Sequence, residues 1–141
     1  MRASFLIGLL LAACANNASA AGHLVIEGAW IRNAPPGAMM LAGYASVRND
    51  GDAAVIVTAA DSADFASVSL HESIEEGGVV RMRALDRVEI KPGASVAFAP
   101  GGKHLMLMRP KHELKPGDSV KIHLSTNSGG AAAEFIVRDA P

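Results

Sequence analysis

Two histidines and two methionines in this chain have types and a spacing that suit a metal site: His71, Met82, His104 and Met106. Ten residues separate the first two, twenty-one separate the second and third, and one separates the last two. Two imidazoles and two thioethers form a soft, neutral donor set, which favours Cu(I) over zinc, iron or an oxygen-preferring ion. The single cysteine, Cys14, lies far from all four in sequence. The pattern therefore predicts a Cu(I) site without a thiolate.

Each of these residues taken alone has a simpler interpretation. A lone histidine in a strand is usually a surface residue, and a buried methionine usually fills a gap in the core. Only the joint pattern favours a metal. Met108 stays outside the predicted ligand set, because it could be a spare thioether or a core residue. His23, His112 and His123 have no matching partners and are interpreted as ordinary surface or strand residues, with His23 kept as an accessory candidate.

The N-terminus predicts export. Arg2 precedes an apolar run over residues 5–13 that is too short to span a bilayer, as in a signal peptide. Residues 11–14 (LAAC) resemble a lipobox that would place a lipid on Cys14, and residues 18–20 (ASA) match ordinary signal cleavage. The lipobox is favoured, although only thirteen residues precede its cysteine. Either route predicts a periplasmic protein, with membrane attachment only through a lipid on Cys14.

Composition predicts one folded domain. With 141 residues and 50% hydrophobic content, the chain is long enough for a single packed core. The boundaries are an export signal over residues 1–20, a linker over 21–23 and a copper-binding domain over 24–138. The formal net charge of -1 and the absence of a Lys/Arg cluster exclude nucleic acid as a partner. A monomer without disulfides is expected.

Short apolar runs separated by turn signals predict an all-β fold. The runs cover residues 24–31, 41–48, 54–60, 65–71, 79–85, 104–109, 119–125 and 133–138. Pro-Gly, Asp-Gly and Gly-Gly pairs stand between many of them, and Pro-Gly favours the centre of a type II turn. About eight such strands are typical of an antiparallel β-sandwich or Greek-key barrel.

The strand period predicts how the four residues meet. Residues two apart in a strand share a face, so His104 and Met106 should project the same way. The segment 65–85 is predicted to be a hairpin with its turn at residues 77–78, which sets His71 opposite Ala84 and Met82 one diagonal step away. Diagonal neighbours lie about 7–8 Å apart, within reach of a methionine and an imidazole that share one ion.

The sequence lacks the residues that other functional classes require. A blue-copper electron carrier needs a cysteine thiolate in its site. An enzyme needs an acid/base pair or a nucleophile, and Glu72 beside His71 would point to the opposite face of a strand. Glu75 and Glu76 are expected to be solvated turn residues. No catalytic residue and no enzymatic activity are predicted.

The sequence resembles the PCuAC family of periplasmic copper chaperones, whose motif is His or Met, ten residues, Met, twenty-one residues, and His-x-Met. Flanking segments match as well over about residues 24–138: 34–37 (APPG), Tyr44, 70–72 (LHE), 100–107 (PGGKHLML) and 114–118 (LKPGD). The resemblance implies a cupredoxin-like Greek-key β-sandwich or barrel. It also implies one Cu(I), held by the four motif residues.

The same resemblance implies the partners. Copper would pass to a copper-accepting protein, either a cytochrome c oxidase subunit or a thioredoxin-like copper chaperone, for assembly of the oxidase copper centre. Relatives often carry methionines where this chain has Ile74 and Val80, and some carry a His/Met-rich tail that binds a second copper. This chain ends at Pro141 without such a tail, so a second, Cu(II)-type site is not expected.

Two alternatives remain open at the sequence level. Copper sequestration for tolerance could use the same four ligands, and sequence does not separate it from delivery. A structural β-sandwich domain that binds no metal would treat the methionines as packing, but it leaves the four-residue spacing unexplained.

Overall fold

A computed structural model describes residues 22–141, so the predicted export signal and Cys14 lie outside the described residues. Within that range the chain forms ten strands and no helix. No segment of the described chain is therefore a helix that could cross a membrane. The strands are β1 (Leu24–Arg32), β2 (Met40–Asn49), β3 (Val55–Asp61), β4 (Phe65–Glu76), β5 (Val79–Ala84), β6 (Val88–Ile90), β7 (Ser95–Phe98), β8 (Lys103–Pro110), β9 (Ser119–Thr126) and β10 (Ala131–Arg138).

The strands close into a barrel. Neighbouring pairs run in the order β4, β8, β2, β1, β10, β9 and β3, and Ala60 of β3 pairs back with Val68 of β4. Most pairs are antiparallel, whereas β1 and β10 are parallel. Strand β7 lies against β2 and β8, and β5 extends the sheet outward from β4. The predicted all-β, cupredoxin-like class is confirmed.

Alternation along the strands fills the barrel. In β9, Val120, Ile122 and Leu124 are buried and the residues between them are more exposed, which is the period of a strand with one face on a core. Phe65 and Phe135 are the largest fully buried side chains. Leu105 and Leu107 of β8 join the same cluster, so the opposite face of β8 points away from the core.

Strands β6 and β7 were not among the eight predicted runs. They have three and four residues and lie on either side of the turn at residues 92–93. Segments this short carry too few alternating positions to be recognised from pattern. Strand β4 also continues to Glu76, five residues past its predicted end, because β5 pairs with that extension.

The β4–β5 hairpin forms in the predicted register. Gly77 and Gly78 have φ angles of 59° and 79°, the two positive values that a type I′ hairpin turn requires. His71 therefore pairs with Ala84, and Ser73 pairs with Met82.

Candidate metal centre

The candidate ligands lie on the outer face of three adjacent strands. His71 pairs directly with His104 across β4 and β8, and their ring centroids are 6.0 Å apart with the planes 23° from parallel. Met106 pairs with Ser69, two residues before His71, and Met82 pairs with Ser73, two residues after it. Both methionines are thus diagonal neighbours of His71, at a separation that their side chains can span.

Burial changes across the site. His104 is only 5% exposed, His71 and Met106 are half-buried, and Met82 is 59% exposed. Met82 stands on β5, every residue of which is exposed. One side of the site is therefore anchored in the barrel wall, and the other is open to an incoming molecule.

A cavity of about 340 Å³ joins three of the four residues, Met82, His104 and Met106. His71 approaches from β4, beside His104. The remaining wall is mainly apolar and contains the charged side chain of Arg32, and an adjoining cavity that shares Met82 and His104 also contains Glu75. The mainly apolar lining suits a soft cation.

His104 has a ring nitrogen with no protein partner. Its Nδ1 lies 3.1 Å from the carbonyl oxygen of Gly102, and because a carbonyl only accepts, this nitrogen carries the proton. Nε2 then has a free lone pair, and it is the one buried side-chain nitrogen or oxygen within residues 22–141 that makes no hydrogen bond. Leaving such a group unpaired costs about 1–3 kcal/mol, which a metal ion bound at Nε2 would offset.

His71 is oriented by a neighbour on its own strand. Ser69 Oγ lies 3.2 Å from His71 Nδ1. When Nδ1–H donates to this hydroxyl, Nε2 of His71 carries the free lone pair. A hydrogen bond of this kind restricts the orientation of the ring.

The other three histidines are engaged differently. His23 lies 2.6 Å from Asp50, His112 lies 2.8 Å from Asp64, and His123 lies 3.3 Å from Asp61. Each of these three histidines contacts a carboxylate, whereas neither His71 nor His104 hydrogen-bonds to one within the described residues. Of the five histidines, His71 and His104 are the two whose hydrogen-bond partners are all uncharged.

Comparison with known proteins places the chain in a family. The family model for LpqE-like proteins, described as "Putative lipoprotein LpqE-like", matches residues 24–135. The chain belongs to the LpqE-like family. It is also 32% identical over 108 residues to "Putative lipoprotein Lxx21020" of Leifsonia xyli subsp. xyli (strain CTCB07), a match that covers 76% of this chain and 64% of that relative's length.

Solved structures with the same fold are PCuAC domains. The copper-bound PCuAC domain of PmoF2 has a TM-score of 0.68 at 26% identity and covers 84% of this chain and 93% of its own. The solution structure of Cu(I)-DR1885 from Deinococcus radiodurans has a TM-score of 0.67 at 25% identity, with coverage of 88% and 83%. The predicted resemblance is confirmed: this LpqE-like protein is a PCuAC-type domain.

Glu72 of the LpqE-like chain takes no part in the candidate centre. Its carboxylate accepts hydrogen bonds from Arg83 at 2.7 Å and from Lys103 at 3.2 Å. These bonds, Arg83 first, lower the pKa of Glu72 below its usual value of 4.5. Glu72 thus ties β5, β4 and β8 together beside the site, and it is not positioned as an acid/base partner of His71.

An aromatic wall that sequence reasoning did not assign borders His104. Tyr44 lines the same cavity and packs against Trp30, with ring centroids 4.8 Å apart, and the guanidinium of Arg138 lies 4.4 Å above the Trp30 ring. Both aromatic side chains are buried, but neither belongs to the hydrophobic core cluster inside the barrel. The alternation of Tyr44 with Ala42 and Met40 along β2 is the sequence signal that could have placed it there.

Within residues 22–141, no three His, Cys, Asp or Glu side chains converge to hold a metal. Beside the two imidazoles on this face of the LpqE-like protein, the thioethers of Met82 and Met106 are available as further donors. Two imidazoles and two thioethers match the preferences of Cu(I).

Proposed function

We propose that this protein is an exported copper chaperone that binds one Cu(I) through His71, Met82, His104 and Met106. It then delivers the ion to an acceptor protein. Copper is the cargo of this reaction, and no residue is assigned a catalytic role.

The observation that carries the proposal is the unpartnered Nε2 of His104 beside two methionines in one cavity. A buried nitrogen that lacks a hydrogen bond, a second imidazole opposite it and two nearby thioethers form a donor set without charge. Neutral soft donors stabilise Cu(I) and give divalent ions no carboxylate or thiolate. Copper-bound PmoF2 and Cu(I)-DR1885, which share the fold, support the choice of metal.

Delivery is supported by the uneven exposure of the donors. Met82 is exposed on a strand that, among the strands of residues 22–141, pairs only with β4, so its thioether is the donor that an incoming ligand meets first. A thiolate or imidazole of the acceptor would bind the ion as Met82 leaves, while His104 and Met106 still hold it. Stepwise exchange of this kind avoids release of free copper ion.

The location and acceptor follow from the sequence and from relatives. The lipoprotein names of the family and of the Leifsonia relative support export, with a lipid on Cys14 as the anchor. The resemblance to PCuAC chaperones points to the copper centre of cytochrome c oxidase, reached directly or through a thioredoxin-like copper chaperone. Both acceptors are part of the proposal.

The test is an anaerobic Cu(I) titration of residues 21–141 against a competing chelator, with Met82→Ala and His104→Ala as variants. One tight equivalent that both variants weaken is the expected result. Weak binding that neither variant changes would overturn the copper site and restore the structural-domain alternative.

The loaded protein is then mixed with the copper-free soluble domain of an oxidase subunit or with a copper-free thioredoxin-like chaperone. Transfer to either acceptor, faster than release to buffer, is expected for a chaperone. Tight binding with no transfer to either would instead favour copper sequestration.

A further inference from the structure

A second pair of methionines faces each other beside the candidate centre. Met40 of β2 pairs directly with Met108 of β8, and the next pair on the same face is Ala42 with Met106. Directly opposed residues have Cβ atoms about 4.5–5.5 Å apart. Methionine has three rotatable side-chain bonds, so both thioether sulfurs can reach one ion between the strands.

The β2–β8 pair ends at a residue with an unusual backbone conformation. Arg109 has a φ angle of 49°, the one positive value for a non-glycine residue within the described chain. Its amide donates to the carbonyl oxygen of Met39 at 2.8 Å, immediately beyond the Met40–Met108 pair. The strands are thus joined at the residues next to these two methionines, which fixes their register.

The pair is continuous with the copper site. Met40 lines the cavity that also contains Met82, His104 and Met106. Met108 lies two residues beyond Met106 on the same strand face, a distance of about 7 Å along a strand. A soft ion could therefore move from one thioether pair to the next without entering the barrel.

Packing does not account for Met40. Its side chain is 51% exposed, whereas a methionine that fills a core gap is buried. The adjacent Met39 is also exposed but lines a different cavity, together with Leu114 and His112. Of these two neighbouring methionines, only Met40 faces the copper site.

We propose that Met40 and Met108 form a second, weaker Cu(I) site through which the ion enters and leaves the four-residue site. The ligand class follows from the two uncharged thioethers of this directly opposed pair, of which Met40 lines the cavity beside Met106. Two donors and no imidazole make the pair weaker than the main site, as a transit position requires. The transit role rests on the proposed chaperone function, but binding at the pair is tested separately.

The test uses residues 21–141 labelled with ¹³C at the methionine methyl groups, titrated anaerobically with Cu(I) and followed by NMR. The first equivalent is expected to shift Met82 and Met106, and further copper is expected to shift Met40 and Met108 while Met39 stays unchanged. A first equivalent that shifts neither Met82 nor Met106 would contradict the chaperone site. A normal first equivalent with Met40 and Met108 unmoved at excess copper would overturn the second site alone.

Leucine variants test the transit role, because leucine keeps the apolar volume and removes the sulfur. Met40→Leu and the Met40→Leu/Met108→Leu double variant should weaken the second equivalent about tenfold or more. They should weaken the first equivalent much less than the second and slow copper transfer to a chelator in stopped-flow measurements several-fold. Met39→Leu is the matched control and should change neither. A lost second equivalent with an unchanged transfer rate would overturn the transit role.

Discussion

The imidazole rings of His71 and His104 lie side by side across the β4–β8 pair, with centroids 6.0 Å apart and planes 23° from parallel. Each ring has its Nδ1 next to an uncharged oxygen, that of Ser69 or of Gly102. The proposed shared ion would bind to the Nε2 atoms of the two rings. In the metal-free protein the buried Nε2 of His104 is unpaired.

We expect His104→Leu to remove copper binding without destabilising the metal-free protein. The substitution loses one neutral hydrogen bond, worth about 0.5–1.5 kcal/mol, but removes an unpaired buried nitrogen that costs about 1–3 kcal/mol. The carbonyl oxygen of Gly102 remains hydrogen-bonded in the variant, because it also accepts from the amide of Ser73. Chemical denaturation of the metal-free variant should therefore give an unfolding free energy equal to or about 1 kcal/mol above wild type.

With copper bound, we expect wild type to be more stable than His104→Leu. At a free Cu(I) concentration 100-fold above the dissociation constant, wild type should gain about 2.7 kcal/mol, and His104→Leu should gain almost none. His123→Leu, at a histidine paired with Asp61, is the control that should keep the copper effect. A metal-free His104→Leu protein less stable than wild type by more than about 1 kcal/mol would show that the ring contributes to packing and would contradict the expected gain from removing the unpaired nitrogen.

Met82→Leu should weaken Cu(I) binding about tenfold or more with almost no change in stability. Met82 is exposed on β5, so leucine there disturbs no core contact, and only the sulfur donor is lost. Competition with a Cu(I) chelator gives the affinity, and thermal unfolding of the metal-free protein gives the stability. Val80→Leu is the matched control, because Val80 occupies the same face of β5 two residue pairs closer to the turn. Equal affinities for wild type and Met82→Leu would remove Met82 from the ligand set.

Local sequence rules predicted the β4–β5 part of the site. Gly77-Gly78 allows one tight turn, and the two-residue period of a strand then fixes the positions of His71 and Met82 relative to each other. The same two-residue period was enough to predict that His104 and Met106 share one face of β8. These relationships involve neighbours in the chain, so the sequence was sufficient to predict them.

The β2 side of the site could not be predicted in this way. The pairing of Ala42 with Met106 joins strands that are distant in sequence, and the packing of Trp30 on Tyr44 depends on the register of β1 against β2, which shifts between Glu27 and Trp30. No turn links β2 to β8 directly, so their register depends on how the whole barrel closes. The cavity wall and the position of Met40 therefore emerged only from the structure.

Ser69→Ala should weaken Cu(I) binding by about tenfold, because the ring of His71 loses the hydroxyl that fixes its orientation. Ser73→Ala is the matched control, since Ser73 lies on the same face of β4 on the other side of His71. Chelator competition measures both affinities, and ¹⁵N NMR of the His71 ring in the metal-free protein should show a changed tautomer balance in Ser69→Ala but not in Ser73→Ala. If both serine variants bind copper like wild type, the hydroxyl has no role in orienting the ligand.

The His112–Asp64 pair should make stability depend on pH away from the copper site. The hydrogen bond from His112 Nε2 to Asp64, followed by the contact of Nδ1 with the carbonyl of Glu113, raises the pKa of His112 above 6.5. A raised folded-state pKa gives a stabilisation that is fully present below the unfolded-state value of 6.5 and is lost as the pH rises through the folded-state pKa. His112→Gln should therefore be less stable than wild type at about pH 5 and approach it at about pH 9.

Thermal unfolding of the metal-free protein across this pH range measures the difference between wild type and His112→Gln. In an Asp64→Asn background the same substitution should lose most of its pH dependence, because the carboxylate that favours the charged imidazole is gone. Copper affinity at neutral pH should not change, since His112 lines a different cavity from His104. A stability difference that grows as the pH rises would contradict the assigned direction of the pKa shift, because a charged, Asp64-paired imidazole stabilises the fold only while it keeps its second proton.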